Sequence, residues 1–174
     1  MTIVKPGAGA TPWQTTGDAL VDAVNAMQDY FCDVSMSAGV GTTIQTLTNA
    51  TFTLLNLDTV TTDTGSNFNT VSHLYTVPAA GRYFCQANVR TRDSTWTTTG
   101  GANLGTGIHT SNVDFAGFQW NKIMPLNVGS GRCTVDYTRI AVFNQGDQLR
   151  LYAFQDSGAS QDLYSAAMQI WRIA

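Results

Sequence analysis

Tyr75-Thr76-Val77-Pro78-Ala79-Ala80-Gly81-Arg82-Tyr83-Phe84 is the stretch that decides how this chain is built. Two β-type runs meet in it. Pro78 fixes φ and lacks an N–H, and Gly81 is free to take φ > 0, so one strand ends and another opens within a few residues. The segment therefore reads as a corner in a β-sheet protein. Beyond it, Tyr83, Cys85, Ala87 and Val89 fall on one face while Phe84, Gln86 and Asn88 fall on the other. Leu149, Leu151 and Ala153 alternate in the same way with Arg150, Tyr152 and Phe154. Aromatic residues on both faces predict strands covered twice, by a second sheet inside and by another subunit outside.

From about Thr42 onward no helical period recurs. Runs rich in β-branched and aromatic residues occupy Thr51–Leu57, Val71–Val77, Arg82–Val89, Asn103–Thr110, Phe115–Asn121, Cys133–Val142, Leu149–Phe154 and Ala166–Ile173, separated by Gly, Asn, Asp and Ser. Eight short strands without intervening helices predict an all-β, two-sheet antiparallel jelly roll over residues 44–174.

Upstream of that body the pattern differs. Residues 1–17 carry Pro6, Gly7, Gly9, Pro12 and Gly17 around Trp13 and have no periodicity, which predicts an extended arm. A large aromatic on such a leader suits insertion into a neighbour, the alternative being a disordered terminus. Leu20, Val24, Met27 and Phe31 then recur at four, three and four residues behind Thr16 as N-cap. That spacing predicts a short helix over 18–34 whose stripe packs on its own domain or on two copies of itself about a threefold axis. Residues 35–43, small and containing Gly39 and Gly41, read as a linker.

Composition narrows the function. At 174 residues the chain suits one domain with an appendage. Only 12% of residues are charged and Glu is absent, so Thr, Ser, Asn, Gln and Gly supply the polar surface. The net charge of −3 has no basic run behind it, which argues against nucleic acid as a partner. No apolar run approaches the ~20 residues of a membrane-spanning helix, so no membrane insertion is expected. Cys32, Cys85 and Cys133 are odd in number and show no CxxC pairing, and no secretory leader is evident. Buried reduced thiols in a protein made in a cytoplasm are expected.

No enzyme motif is found. His73 and His109 lie far apart without HExxH, Ser130 and Ser157 lack a GxSxG setting, and Gly100–Gly107 lacks the strand and helix of a nucleotide fingerprint. No catalytic residue, metal ligand or cofactor is assigned. Asp58, Asp63, Asp93, Asp114, Asp147, Asp156 and Asp162 flank predicted loops, where turn-forming Asp is the ordinary explanation against a calcium cage or a hydrolytic acid pair. Trp96 among Ser and Thr, and Trp120 with Lys122 beside amides, are candidate receptor-contacting loops of the kind that stack on sugars, with packing as the alternative.

Asp63-Thr64-Gly65 before Phe68, the Tyr75–Phe84 corner, Gly146-Asp147-Gln148-Leu149-Arg150-Leu151 and the closing run Ala166–Ile173, taken in order, resemble the globular head of the complement C1q and tumour-necrosis-factor superfamily. The series is especially similar to the C1q-like domains of bacteriophage tail-fibre, minor tail and head-fibre proteins. The resemblance covers roughly residues 44–174 and implies a homotrimer packed about a threefold axis. Tyr83, Phe84, Leu151, Met168, Ile170 and Trp171 would lie in the core or at the trimer interface. It implies a virion structural protein assembled in the host cytoplasm and anchored to other virion proteins through Trp13, Leu20, Val24, Met27 and Phe31. The knob would contact the host surface, including a glycan. Capsid decoration is the alternative mounting, a glycan-active enzyme the alternative chemistry and a soluble trimeric ligand the third possibility. Neither a collagen-like repeat nor a secretory leader is present, which favours the virion reading.

Overall fold

A computed structural model describes residues 18–22, 24, 30–37, 44–92, 94–96, 103–110, 121–123 and 129–173. Among them fourteen strands are formed: β1 (Phe31–Ser37), β2 (Thr46–Leu47), β3 (Thr51–Leu54), β4 (Thr59–Asp63), β5 (Phe68–Asn69), β6 (Leu74–Thr76), β7 (Gly81–Thr91), β8 (Ser94–Trp96), β9 (Leu104–His109), β10 (Asn121–Ile123), β11 (Gly129–Gly131), β12 (Thr134–Phe143), β13 (Gln148–Gln155) and β14 (Gln161–Arg172). One sheet runs β12-β7-β14-β1-β4, with β2 also paired to β14. The second runs β10-β9-β13-β6-β5, with β3 also paired to β13, and β8 and β11 form a separate ribbon. The pairings among the described residues are antiparallel, and the two sheets enclose one core, the architecture of a jelly roll.

The first sheet supplies its half of the core in rows. Cys32, Ile170 and Cys85 lie side by side across β1, β14 and β7, then Val34, Met168 and Ala87, then Met36, Ala166 and Val89. All are 3% exposed or less. The period of two puts every alternate residue inside, and burying each large aliphatic stabilises the fold by about 1.5–3 kcal/mol. Leu149, Leu151 and Ala153 of β13 meet these rows from the opposite sheet.

The Tyr75–Phe84 corner joins the two sheets. β6 pairs with β13 and β5, whereas β7 pairs with β12 and β14, so Pro78, Ala79 and Ala80 carry the chain from one layer to the other. The Tyr83 hydroxyl donates to the Ala79 carbonyl at 2.7 Å and ties the crossing together. Gly81 has φ 159°, close to extended backbone, and simply begins β7. The Gly146-Asp147 turn latches onto this corner: the Gly146 N–H donates to the Val77 carbonyl and the Val77 N–H to the Asp147 carbonyl, each at 2.8 Å. Here glycine is required, because Gly146 sits at φ 87°. The Asp63–Gly65 turn completes the group. Asp63 Oδ2 accepts from the Phe68 N–H at 2.7 Å, and the Thr64 N–H donates to the Phe31 carbonyl at 3.0 Å.

Two expectations are corrected. The helix predicted over 18–34 is helical at 18–22 and 24, but Phe31–Ser37 is strand β1, packed between β14 and β4. Cys32, Val34 and Met36 alternate with Asp33 and Ser35, and that period of two, with both neighbouring strands present, outweighs a helical spacing that ended at Phe31. The jelly roll therefore starts at Phe31 and not at residue 44, and the linker predicted over 35–43 begins inside a strand. The run Val71–Val77 is also shorter than predicted. Asn69 Oδ1 accepts from the N–H groups of Val71 and Ser72, both at 2.9 Å, and holds Val71–His73 in a turn before Leu74 opens β6. Of the run Phe115–Asn121, only Asn121 lies among the described residues, where it opens β10.

Candidate functional site: the outward face of the first sheet

The side of the first sheet that points away from the core carries two contrasting ends. β1 and β7 run from the end where the N-terminal segment enters to the far end, and β12 and β14 return. At the entry end Phe31, Trp171, Phe84 and Ile140 occupy four neighbouring strands in one row. Phe84 stacks on Trp171 with centroids 4.3 Å apart, and Phe31 tilts against Trp171 at 6.1 Å. Such pairs contribute about 0.5–1.5 kcal/mol beyond burial. Ile140 is 58% exposed and Val142, two residues on, 72% exposed. Arg172 extends the cluster, its guanidinium 5.5 Å from the Tyr30 ring centroid and Nη2 donating to the Ala80 carbonyl at 3.0 Å.

The next rows are polar: Asp33, Gln169, Gln86 and Thr138, then Ser35, Ala167, Asn88 and Asp136. Asn88 Nδ2 donates to Asp136 Oδ1 at 2.6 Å. The face then ends in a bulge. Leu163 is opposite Thr91 and Ser165 opposite Arg90, leaving Tyr164 as the extra residue. The guanidinium carbon of Arg90 lies 5.3 Å, and that of Arg132 4.9 Å, from the Tyr164 ring centroid.

The residues singled out from sequence separate accordingly. Tyr83, Leu151, Met168 and Ile170 are fully buried core residues, whereas Phe84 and Trp171 are half-buried on the outward face. Phe31 belongs to this face and not to a helical stripe. Leu20 is 66% exposed and Val24 half-buried in the helical segment, while Trp13 and Met27 lie outside the described residues. Trp96 ends β8, opposite Gly129 of β11, and Lys122 is opposite Gly105, with Trp120 outside the described residues. Ile140, Val142, Tyr164, Arg90 and Arg132 were not anticipated. The alternation in Thr134–Phe143 places Ile140 and Val142 opposite Val135 and Tyr137, and that signal was readable in the sequence. The Tyr164 bulge had none.

The titratable groups of the core are held neutral. Burial pushes the Cys32 and Cys85 thiols up to about 12, and it raises Cys133 and Tyr75 as well. All three cysteines are free thiols, and protonated sulfur is a poor nucleophile. Among the described residues no three His, Cys or Asp side chains converge as a metal ion requires, and no helix is long and apolar enough to cross a membrane. Asp147 and Asp156 act locally: Asp147 Oδ2 accepts from the Asn144 N–H at 2.8 Å, and Asp156 Oδ2 accepts from Asn103 Nδ2 at 2.7 Å.

No protein-family model matches the chain, and no curated protein matches it in sequence. Solved structures do match in fold. The globular domain of zebrafish complement 1qA protein aligns with 83% of this chain and 98% of its own, with a TM-score of 0.56 at 14% identity. PRD1 vertex protein P5 aligns with 84% of this chain and 98% of its own, with a TM-score of 0.57 at 14% identity.

Proposed function

We propose that this chain is a bacteriophage virion structural protein whose C1q-like jelly roll forms a homotrimeric knob, mounted through the residues before Tyr30 and directed at the host surface. The fold shared with PRD1 vertex protein P5 along nearly the whole of that solved chain supports the virion assignment. Self-association is supported by the outward face of the first sheet. A monomer would leave Ile140 and Val142 in water beside the half-buried Phe31, Phe84 and Trp171, a contiguous apolar end of the kind that subunit contacts cover. The N-terminal residues enter at that same end, so an assembly through this face gathers the leaders of all copies on one side, as a mount requires.

A minor tail or tail-fibre knob is the first reading. The likeness to a vertex protein favours a second, in which the same knob stands on the capsid as decoration or head fibre. Light scattering should return three times the 18.7 kDa chain mass. Immunogold labelling of intact particles should then mark the tail or the capsid. A monomer, or particles without label, would overturn the proposal.

A further inference from the structure

We infer that the outward face of the first sheet is completed by an ion pair between copies, in which Arg82 of one copy meets Asp33 of the next and three such pairs close the ring. The pairing presupposes the trimeric reading above and adds to it which groups meet. Arg82 lies on β7 opposite Val142, two residues before Phe84, and is exposed. Asp33 lies on β1 opposite Gln169, two residues after Phe31, and is half-buried. Both side chains point outward, because their neighbours Tyr83, Cys32 and Val34 are the buried ones and successive residues of a strand alternate.

These two stand apart from the other charged side chains of the face. Arg172 lies over Tyr30 and donates to the Ala80 carbonyl, Asp136 accepts from Asn88, and Arg90 lies over Tyr164. Arg82 and Asp33 make no side-chain hydrogen bond or ion pair among the described residues. They are opposite in charge, yet they cannot meet within one copy. β14 separates their strands, and they flank the aromatic row on opposite sides, about 13 Å apart along the strand direction at the strand rise.

Covering the apolar row also takes water from the residues beside it. A lone guanidinium or carboxylate removed from water is unfavourable, and an opposite charge brought against it offsets that cost. Association through this face is therefore favoured in the arrangement that brings the unpaired cation of one copy to the unpaired acid of another. A twofold contact would form two such pairs and stop at a dimer. A threefold ring is heterologous, so each copy offers Arg82 to one neighbour and Asp33 to the other. The β7 and β12 half of one face, with Ile140, Val142 and Arg82, then covers the β1 and β14 half of the next, with Phe31, Trp171 and Asp33. Since the two charges flank the row on opposite sides, their meeting sets the strands oblique to the threefold axis. Charge complementarity of this kind fixes register and partner choice more than it raises affinity.

The test uses the full chain in sedimentation velocity across a dilution series, with thermal unfolding of each variant as the check on folding. Arg82→Glu and Asp33→Lys each place like charges together at every contact of the ring and should raise the dissociation midpoint roughly tenfold or more, while the double exchange should return it to within about threefold of the wild type. Arg82→Gln and Asp33→Asn form a milder cycle, in which the two changes together should weaken assembly no more than either alone. Arg82→Cys/Asp33→Cys in a Cys133→Ser background, which leaves only buried native thiols, should be joined by a short bismaleimide into a covalent trimer, and the single-Cys chains should stay monomeric under denaturing conditions. Charge reversals without effect on the midpoint, reversals whose effects add, or a covalent species that stops at the dimer would overturn the pairing. A wild-type chain that is monomeric at every concentration would overturn the trimeric reading and the pairing with it, whereas additive reversals in a particle of three chain masses would leave the trimeric reading standing.

Discussion

Replacing Ile140 and Val142 together by Thr is the most searching perturbation of the outward face. Both side chains are largely in water in the isolated chain, at 58% and 72% exposure. Thr keeps the β-branched shape that suits a strand, so the fold itself should lose no more than about 1 kcal/mol. If the face is covered by further copies, the area still exposed is what association buries. Full burial of such a side chain stabilises by about 1.5–3 kcal/mol, so the exposed fractions correspond to about 1–2 kcal/mol each and about 2–4 kcal/mol per chain. At 1.4 kcal/mol per decade, the concentration at which the oligomer dissociates should rise by well over tenfold. Sedimentation velocity across a dilution series, with denaturant unfolding of the same samples, separates the two effects. Ile170→Ala on β14 provides the contrast, because that side chain points inward and is fully buried: it should cost about 2–5 kcal/mol of folding stability. An Ile140→Thr/Val142→Thr protein that keeps the wild-type dissociation midpoint would refute the assignment of this face, and one that unfolds like Ile170→Ala would show that the two side chains belong to the core.

Three further outcomes are expected. Deleting residues 1–29 should leave a cooperatively folded knob by circular dichroism and thermal unfolding, whereas deleting residues 1–35 removes most of β1 with the fully buried Cys32 and Val34 and should abolish folding; equal folding of both would contradict the place of β1 inside the sheet. Tyr83→Phe should cost about 0.5–1.5 kcal/mol through loss of the 2.7 Å bond to Ala79, while Tyr75→Phe should be neutral or stabilising, since the buried Tyr75 hydroxyl has no hydrogen-bond partner. Cys32 and Cys85 hold their protons up to about 12 in the fold against 9.0 otherwise, so the unfolded chain loses protons first and stability should fall as pH rises above 9. Each thiol contributes a slope of about 1.4 kcal/mol per pH unit. Urea midpoints at pH 8 to 10 should show the decline, and Cys85→Ala should flatten it; an unchanged slope in that variant would assign the alkaline loss to other groups.

Much of the sheet structure was already legible in the one-dimensional pattern. The alternation of Tyr83, Cys85, Ala87 and Val89 against Phe84, Gln86 and Asn88 separated core from outward face correctly, because the pleat forces successive side chains to opposite sides whatever the neighbours are. The order of the turns at Asp63, Pro78 and Gly146 likewise pointed to the jelly roll. Where several periods competed, the chain alone was ambiguous. Phe31 completes a helical spacing with Leu20 and Val24 and also opens the alternation of Cys32, Val34 and Met36, and only the edge of β14, which pairs with the whole of Phe31–Ser37, settles which one prevails. β4, with Thr59–Asp63 mostly exposed, has no hydrophobic period to detect and is a strand because β1 offers it hydrogen bonds.

The candidate site was less legible still. Sequence identified Phe84 and Trp171 as core or interface, and the structure decided between them and Tyr83 or Ile170 by the direction each side chain takes from its strand. The meeting of Arg90, Arg132 and Tyr164 joins residues up to 74 positions apart through a bulge in one strand, and no local pattern encodes it. Composition, turn chemistry and the period of two thus determined by themselves that this chain is a layered β-protein with a corner at Tyr75–Phe84, since those depend on backbone sterics and neighbouring residues. Which sheet each strand joins, that the corner crosses between sheets, and that one face is apolar at the entry end and carries the Arg90–Tyr164–Arg132 stack at the other were decided by tertiary structure, because register and long-range pairing bring together groups that the chain keeps apart.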